Sequence, residues 1–127
     1  MSTLVVAALA CSGSPTAPSS GPLATGRWTG DGACLSVTET ACDLVVGCGH
    51  GQFMRPTLRA EGTFDVDGTY RIEAGPISIE PAPAAHFSGS MSGSRLTLRV
   101  VPSVPSLPAA TYSMMLTGAG ACAVRCL

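Results

Sequence analysis

Glycine or proline interrupts every apolar run between Gly26 and the C-terminus, and no stretch there keeps a helical apolar period for more than two turns. That punctuation excludes long helices and leaves short strands joined by turns. The pattern predicts strands over 26–30, 33–38, 41–47, 57–65, 69–74, 76–80, 85–91, 95–101, 111–117 and 121–126. Short strands at this spacing build an all-β domain: a small antiparallel β-barrel of about eight strands, or alternatively a two-sheet β-sandwich. The folded domain is expected over residues 26–127.

Turn chemistry registers two hairpins. In Gly62 to Ile72, a three-residue loop Val66-Asp67-Gly68 would place Gly68 at a left-handed bulge position, with Phe64 opposite Tyr70 and Gly62 opposite Ile72. In Phe87 to Val100, a Gly93-Ser94 turn with glycine first pairs Met91 with Leu96, Gly89 with Leu98 and Phe87 with Val100. Ser88, Ser90, Thr97 and Arg99 then face water. Each hairpin has one dry face and one wet face, as a small barrel requires.

Six cysteines in 127 residues would be unusual in a reducing cytosol, and their spacing fits no common zinc pattern. Export and a disulfide-stapled fold follow as expectations. Cys34, Cys42, Cys48, Cys122 and Cys126 are the disulfide candidates, enough for two bridges and one leftover thiol. On an extended strand Cys122 and Cys126 would stand about 13 Å apart, too far to join each other. Cys42 and Cys48 are also too distant unless Gly47 bends the chain. At least one of Cys34, Cys42 and Cys48 should therefore bridge to the C-terminal segment. Closing a loop of ~75–90 residues is worth about 4–5 kcal/mol in the chain-entropy model.

The N-terminus carries a second sign of export. An apolar run from Leu4 to Ala10 ends in Leu9-Ala10-Cys11, followed by Ser12-Gly13-Ser14. This resembles the lipobox of bacterial lipoproteins, which implies that residues 1–11 form the signal segment and that Cys11 is acylated and becomes the new N-terminus. The apolar run is too short to span a bilayer, so anchoring would rest on acyl chains. Residues 12–25, drawn mainly from Ser, Pro, Gly, Ala and Thr, read as a flexible linker between anchor and domain. The expected location is the cell envelope, with the protein held to a membrane by its lipid. Farther on, Gly26-Arg27-Trp28 resembles the Gly-x-Trp that opens the barrels of lipocalins and, more loosely, avidins. The resemblance implies that Trp28 closes one end of a barrel, beside any ligand held there.

Composition limits the chemistry. Charged residues make up 12% of the chain and the formal net charge is −1, which gives no electrostatic attraction for nucleic acid. All seven basic residues are Arg, and neither Lys nor Asn occurs, so Schiff-base chemistry and N-glycosylation are excluded. A metal reading would join Cys48 and His50 to Cys42 or His86. A disulfide at Cys48 and a glycine-rich turn over Gly47–Gln52 explain the segment without one, so no metal and no cofactor are expected. Asp65-Val66-Asp67-Gly68 opens like a calcium loop but lacks the later ligands. No nucleophile-elbow motif supports a hydrolase, although His50 or His86 could serve one. Pro102, Pro105 and Pro108 recur at the polyproline II period, with Val101, Val104 and Leu107 along one edge. That edge either packs on the barrel or forms a partner loop, as in an inhibitor of an extracellular protease. The expectation is a non-enzymatic binding or interaction module for an unknown protein or small-molecule ligand. The protease inhibitor and a small hydrolase stand as alternatives.

Overall fold

The computed structural model describes residues 20–72 and 82–123. Ten strands occur there: β1 Gly21–Pro22, β2 Gly26–Gly30, β3 Ala33–Val37, β4 Ala41–Val46, β5 Gly49–Met54, β6 Thr57–Leu58, β7 Thr63–Ile72, β8 Ala84–Ser92, β9 Arg95–Pro102 and β10 Ala110–Gly118. Eight of them close an antiparallel barrel in the order β10-β2-β3-β4-β5-β7-β8-β9, while β1 and β6 pair separately. The protein is thus an all-β, eight-stranded closed barrel, as the strand spacing predicts. Cys11 and Cys126, the signal segment 1–11 and the expected strand 76–80 lie outside the described residues.

The inward side chains form one contiguous cluster. Trp28, Leu35, Leu44, Phe87, Leu96, Leu98 and Met114 are fully buried, and Phe53, Phe64 and Tyr70 nearly so. Phe53 stacks on Phe87 with ring centroids 4.4 Å apart and on Phe64 at 6.3 Å. An eight-stranded barrel is only just wide enough for side chains. Rings fit here because inward glycines face them across the strands. A Cβ on Gly89 would strike the Phe64 ring, and one on Gly51 would sit 3.1 Å from the Phe87 ring. A Cβ on Gly49 would collide with the Tyr70 hydroxyl, and one on Gly68 with the Gln52 carbonyl, Phe53 and Phe87.

These clearances explain where the strands depart from expectation. Gly68 does not turn the chain: β7 runs unbroken from Thr63 to Ile72, with Gly68 opposite both Phe53 and Ala85. The expected Val66-Asp67-Gly68 hairpin is therefore absent, and Phe64 faces Gly89 instead of Tyr70. Likewise the glycines after Cys48 belong to a strand. The β4–β5 turn is only Gly47-Cys48, with Gly47 at φ 56°, and Gly49, Gly51 and Phe53 then point inward. The expected strand over 57–65 holds β6 and the start of β7, separated by a turn in which the Gly62 amide donates to the Arg59 carbonyl at 2.8 Å. Leu23 is also fully buried, so the domain starts before Gly26 and takes in the last part of the presumed linker.

The second hairpin matches its expected register at Met91–Leu96, Gly89–Leu98 and Phe87–Val100, with Gly93 at φ 61°. The β2–β3 hairpin turns on Asp31-Gly32, both with positive φ, which suits a tight two-residue loop. One end of the barrel is capped by the β1–β6 pair. There the Leu23 amide donates to the Pro56 carbonyl at 3.0 Å, and Arg55 Nε donates to the Leu23 carbonyl at 2.7 Å. The β10–β2 seam is the shortest, with three registered pairs and a bulge between Leu116 and Gly118. Past its end, the Asp31 carboxylate accepts a hydrogen bond from the Ser113 amide at 2.8 Å.

Residues 121–123 do not form a strand. They lie against the outer face of β3 and β4, where Cys122 bridges to Cys34 with a Cα–Cα distance of 5.8 Å. Ser36 and Val45 face outward with Cys34 yet are almost fully buried, because this segment covers their face of the sheet. Cys48 is also disulfide-bonded. Cys42 points into the core as a free thiol, and burial, reinforced by the Asp43 carboxylate, pushes it up to about 12.

Two measurements test this packing. Gly89→Ala should lower the free energy of unfolding by about 1–3 kcal/mol, because the Phe64 ring must move. With the ring removed by Phe64→Ala, the same Gly89→Ala change should cost about 1 kcal/mol or less. Equal effects in urea titrations would remove the ring-over-glycine account. Replacing Cys34 and Cys122 together by Ala should cost up to about 4–5 kcal/mol, set by the 88-residue separation. Unchanged stability would show that the bridge does not restrain the unfolded chain.

Candidate functional site

Trp28 sits in the interior, and its indole Nε1 donates to the Ala24 carbonyl at 3.1 Å. Its ring and its one polar atom are both engaged within the protein. Cys42 points inward from β4 while His50 points outward from β5, so the barrel wall separates two of the residues that a metal reading would join. Among the described residues, no three His, Cys, Asp or Glu side chains are placed to hold a metal ion.

The proline segment is not one continuous polyproline edge. Val101 belongs to β9 and lies outward, opposite His86. Val104 and Leu107 close a turn in which the Leu107 amide donates to the Val104 carbonyl at 3.0 Å. Pro105 occupies the position of that turn where its fixed φ is favoured. Leu107 packs against the core cluster, whereas Val101 stays exposed, so the three apolar residues address different surroundings.

Ser36, Asp43 and His50 all line a cavity of about 170 Å³ beneath the Cys122 segment. Hydrolytic triads place the imidazole between serine and carboxylate. Here Asp43 lies directly opposite Ser36 on the neighbouring strand, and His50 stands on the far side of Asp43, Nε2 to Oδ1 3.5 Å. Gln52 Nε2 donates to the same Oδ1 at 2.9 Å.

The most organised polar cluster lies on the outer face of β7 and β8. His86 reaches Asp67 through Nδ1 at 2.8 Å and Asp65 through Nε2 at 2.9 Å. Two carboxylates on both ring nitrogens favour the imidazolium, which donates on each side. His86 is accordingly raised from its ordinary 6.5, first by the Asp67 hydrogen bond and then by that of Asp65. Asp65 is lowered from 3.8, first by His86 and then by Arg59, whose Nη1 donates to Oδ2 at 3.0 Å. In the sequence Asp65 and Asp67 stand together in a stretch that opens like a calcium loop, with His86 far from both. Their union depends on β7 running straight, which brings Asp67 opposite His86.

Above this cluster the outer face of β7–β10 carries a trough of about 430 Å³. Ser88, Ser90 and Thr97 line it together with Gly89 and Phe64, and Arg59, Arg99 and Thr111 also border it. Strand register fixes the rows: Thr63, Ser90, Thr97 and Ser113 in one, and Asp65, Ser88, Arg99 and Thr111 in the next.

The sign of the pH dependence follows from the two shifts. Stabilisation from protonated His86 is complete below 6.5 and is lost as pH rises through its raised value. That from Asp65 is present above 3.8 and is lost as pH falls through its lowered value. The cluster is therefore tightest between those limits, and its exposure keeps the energy small. In an NMR titration His86 should show a midpoint above 6.5, and Asp67→Asn should bring it down. A midpoint at or below 6.5 in the parent protein would show that the two carboxylates do not hold the ring in solution. No family model, curated protein or solved structure matches this chain.

Proposed function

We propose that this chain is an exported lipoprotein of the cell envelope, anchored through Cys11, whose barrel is a non-enzymatic binding module. The observation that carries the reading is the cysteine chemistry. The Cys34–Cys122 bridge and the disulfide at Cys48 suit an oxidising compartment, and a lipobox-like sequence precedes the domain. A binding role is supported by the distribution of polar groups. The interior is occupied by the protein's own side chains, so a ligand or partner would be met on the outer surface. Both ring nitrogens of His86 are engaged by carboxylates, which suits a structural role better than that of a general base.

The chain rises into the barrel at Gly21, beside the capped end, and the turns at 31–32, 47–48 and 103–109 lie at the other end. In a protein tethered through Cys11, the capped end would face the membrane and the barrel wall would stand free at the side.

Intact mass spectrometry on protein extracted from the membranes of a bacterial host tests the anchor. A chain starting at Cys11 with acyl chains attached and two disulfides is the expected result, and Cys11→Ser should move the protein to the soluble fraction. A chain starting at Met1, unmodified and with free thiols, would overturn both the export and the anchor.

A further inference from the structure

We infer that the trough on the outer face of β7–β10 binds an anionic saccharide, an inference that rests on the binding-module reading and gives it a ligand class. The outside of a barrel is convex and ordinarily offers no concavity. Here the floor is low because Ser88, Ser90 and Thr97 are short, and the side rises where the Arg59 turn leads into β7. With a volume of about 430 Å³ the trough is open over most of its extent, so it would take a ligand lying along the strands with one face on the protein.

The donors and acceptors define the ligand. Serine and threonine hydroxyls both donate and accept, which matches the hydroxyls of a sugar. Guanidinium groups only donate, and their planar fork takes a carboxylate or sulfate through two hydrogen bonds. Arg59 is held in place by Thr63 Oγ1 at 3.2 Å and Asp65 Oδ2 at 3.0 Å. Arg99 is exposed and makes no hydrogen bond or ion pair among the described residues, and its register neighbours are Ser88 and Thr111. Asp65, the one carboxylate lining the trough, is shared between Arg59 and His86, so the charge of Arg99 is left for a ligand. Arg95, in the next rung, is turned toward Ser113 Oγ at 2.7 Å and adds positive potential nearby. A neutral sugar would leave Arg99 unmatched, and a simple anion would leave the hydroxyls unused.

The test is an ¹⁵N-NMR titration of the full chain, disulfides intact, with digalacturonate, with maltose and with acetate at matched ionic strength. Digalacturonate should give saturable shifts centred on Ser88, Ser90, Thr97, Arg99 and Thr111, and maltose and acetate should bind at least about tenfold more weakly. Arg99→Gln changes an exposed side chain and should keep the remaining spectrum while weakening digalacturonate about tenfold. Acetate binding as well as digalacturonate would reduce the site to a general anion trap and overturn the proposal, as would undiminished binding by Arg99→Gln. Saturable shifts confined to another part of the surface would reject this trough yet leave the binding module standing. No saturable shift with any of the three would reject the trough too, while membrane anchoring is read independently by mass.

Discussion

The barrel depends on a limit of space. Closing eight strands leaves an interior about one side chain deep from each wall, and this chain fills it with Phe53, Phe64, Tyr70, Phe87 and Trp28. Five large rings can share that volume only where the facing strands yield room. Gly49, Gly51 and Gly89 supply it where a ring or its hydroxyl crowds the place of a Cβ, and Gly68 does so where the Gln52 carbonyl, Phe53 and Phe87 converge. Glycine weakens a strand by its own conformational freedom, and the ring laid across it restores apolar contact and shields its backbone from water. The same arrangement straightens β7 and brings Asp67 opposite His86, so the polar cluster outside is a result of packing inside.

This shows why part of the architecture is legible in the sequence and part is not. Where glycine stands at a turn with polar neighbours, local chemistry reads correctly: Gly93-Ser94 gives the β8–β9 register to the residue. Where glycine is a clearance for a distant ring, local chemistry misleads. Asp67-Gly68 and the glycines after Cys48 look like turns because the rings that need them are remote in sequence: Phe87 lies 19 residues beyond Gly68 and Tyr70 lies 21 beyond Gly49. Alternation is the usable signal at Gly49-His50-Gly51-Gln52-Phe53, where the glycines take inward places. The long bridge was legible, since separation along extended strands ruled out the short pairings, but the choice of Cys34 over Cys42 depends on which face each one takes. Cys34 points outward and Cys42 inward.

The candidate site was legible only in pieces. Ser88, Ser90, Thr97 and Arg99 are recognisable as a wet face from the hairpin alone. Arg59 and Thr111 join them through long-range strand pairing and the turn before β7, and no local pattern marks them. The proline segment shows the reverse case. A clear period in the sequence dissolves in the fold because a single turn hydrogen bond at Val104–Leu107 redirects the chain and sends Leu107 to the core.

The position of the Cys34–Cys122 bridge carries a consequence for aggregation. A closed barrel has no free strand edges, and the seam with the fewest registered pairs lies between β10 and β2. The chain leaving β10 does not stop at that seam: it passes beyond β2 and is fastened to β3. The covalent link therefore spans the seam from outside, like a clasp over a lapped joint. Even if the three β10–β2 pairs part, the bridge keeps the two exposed edges within a few residues of each other.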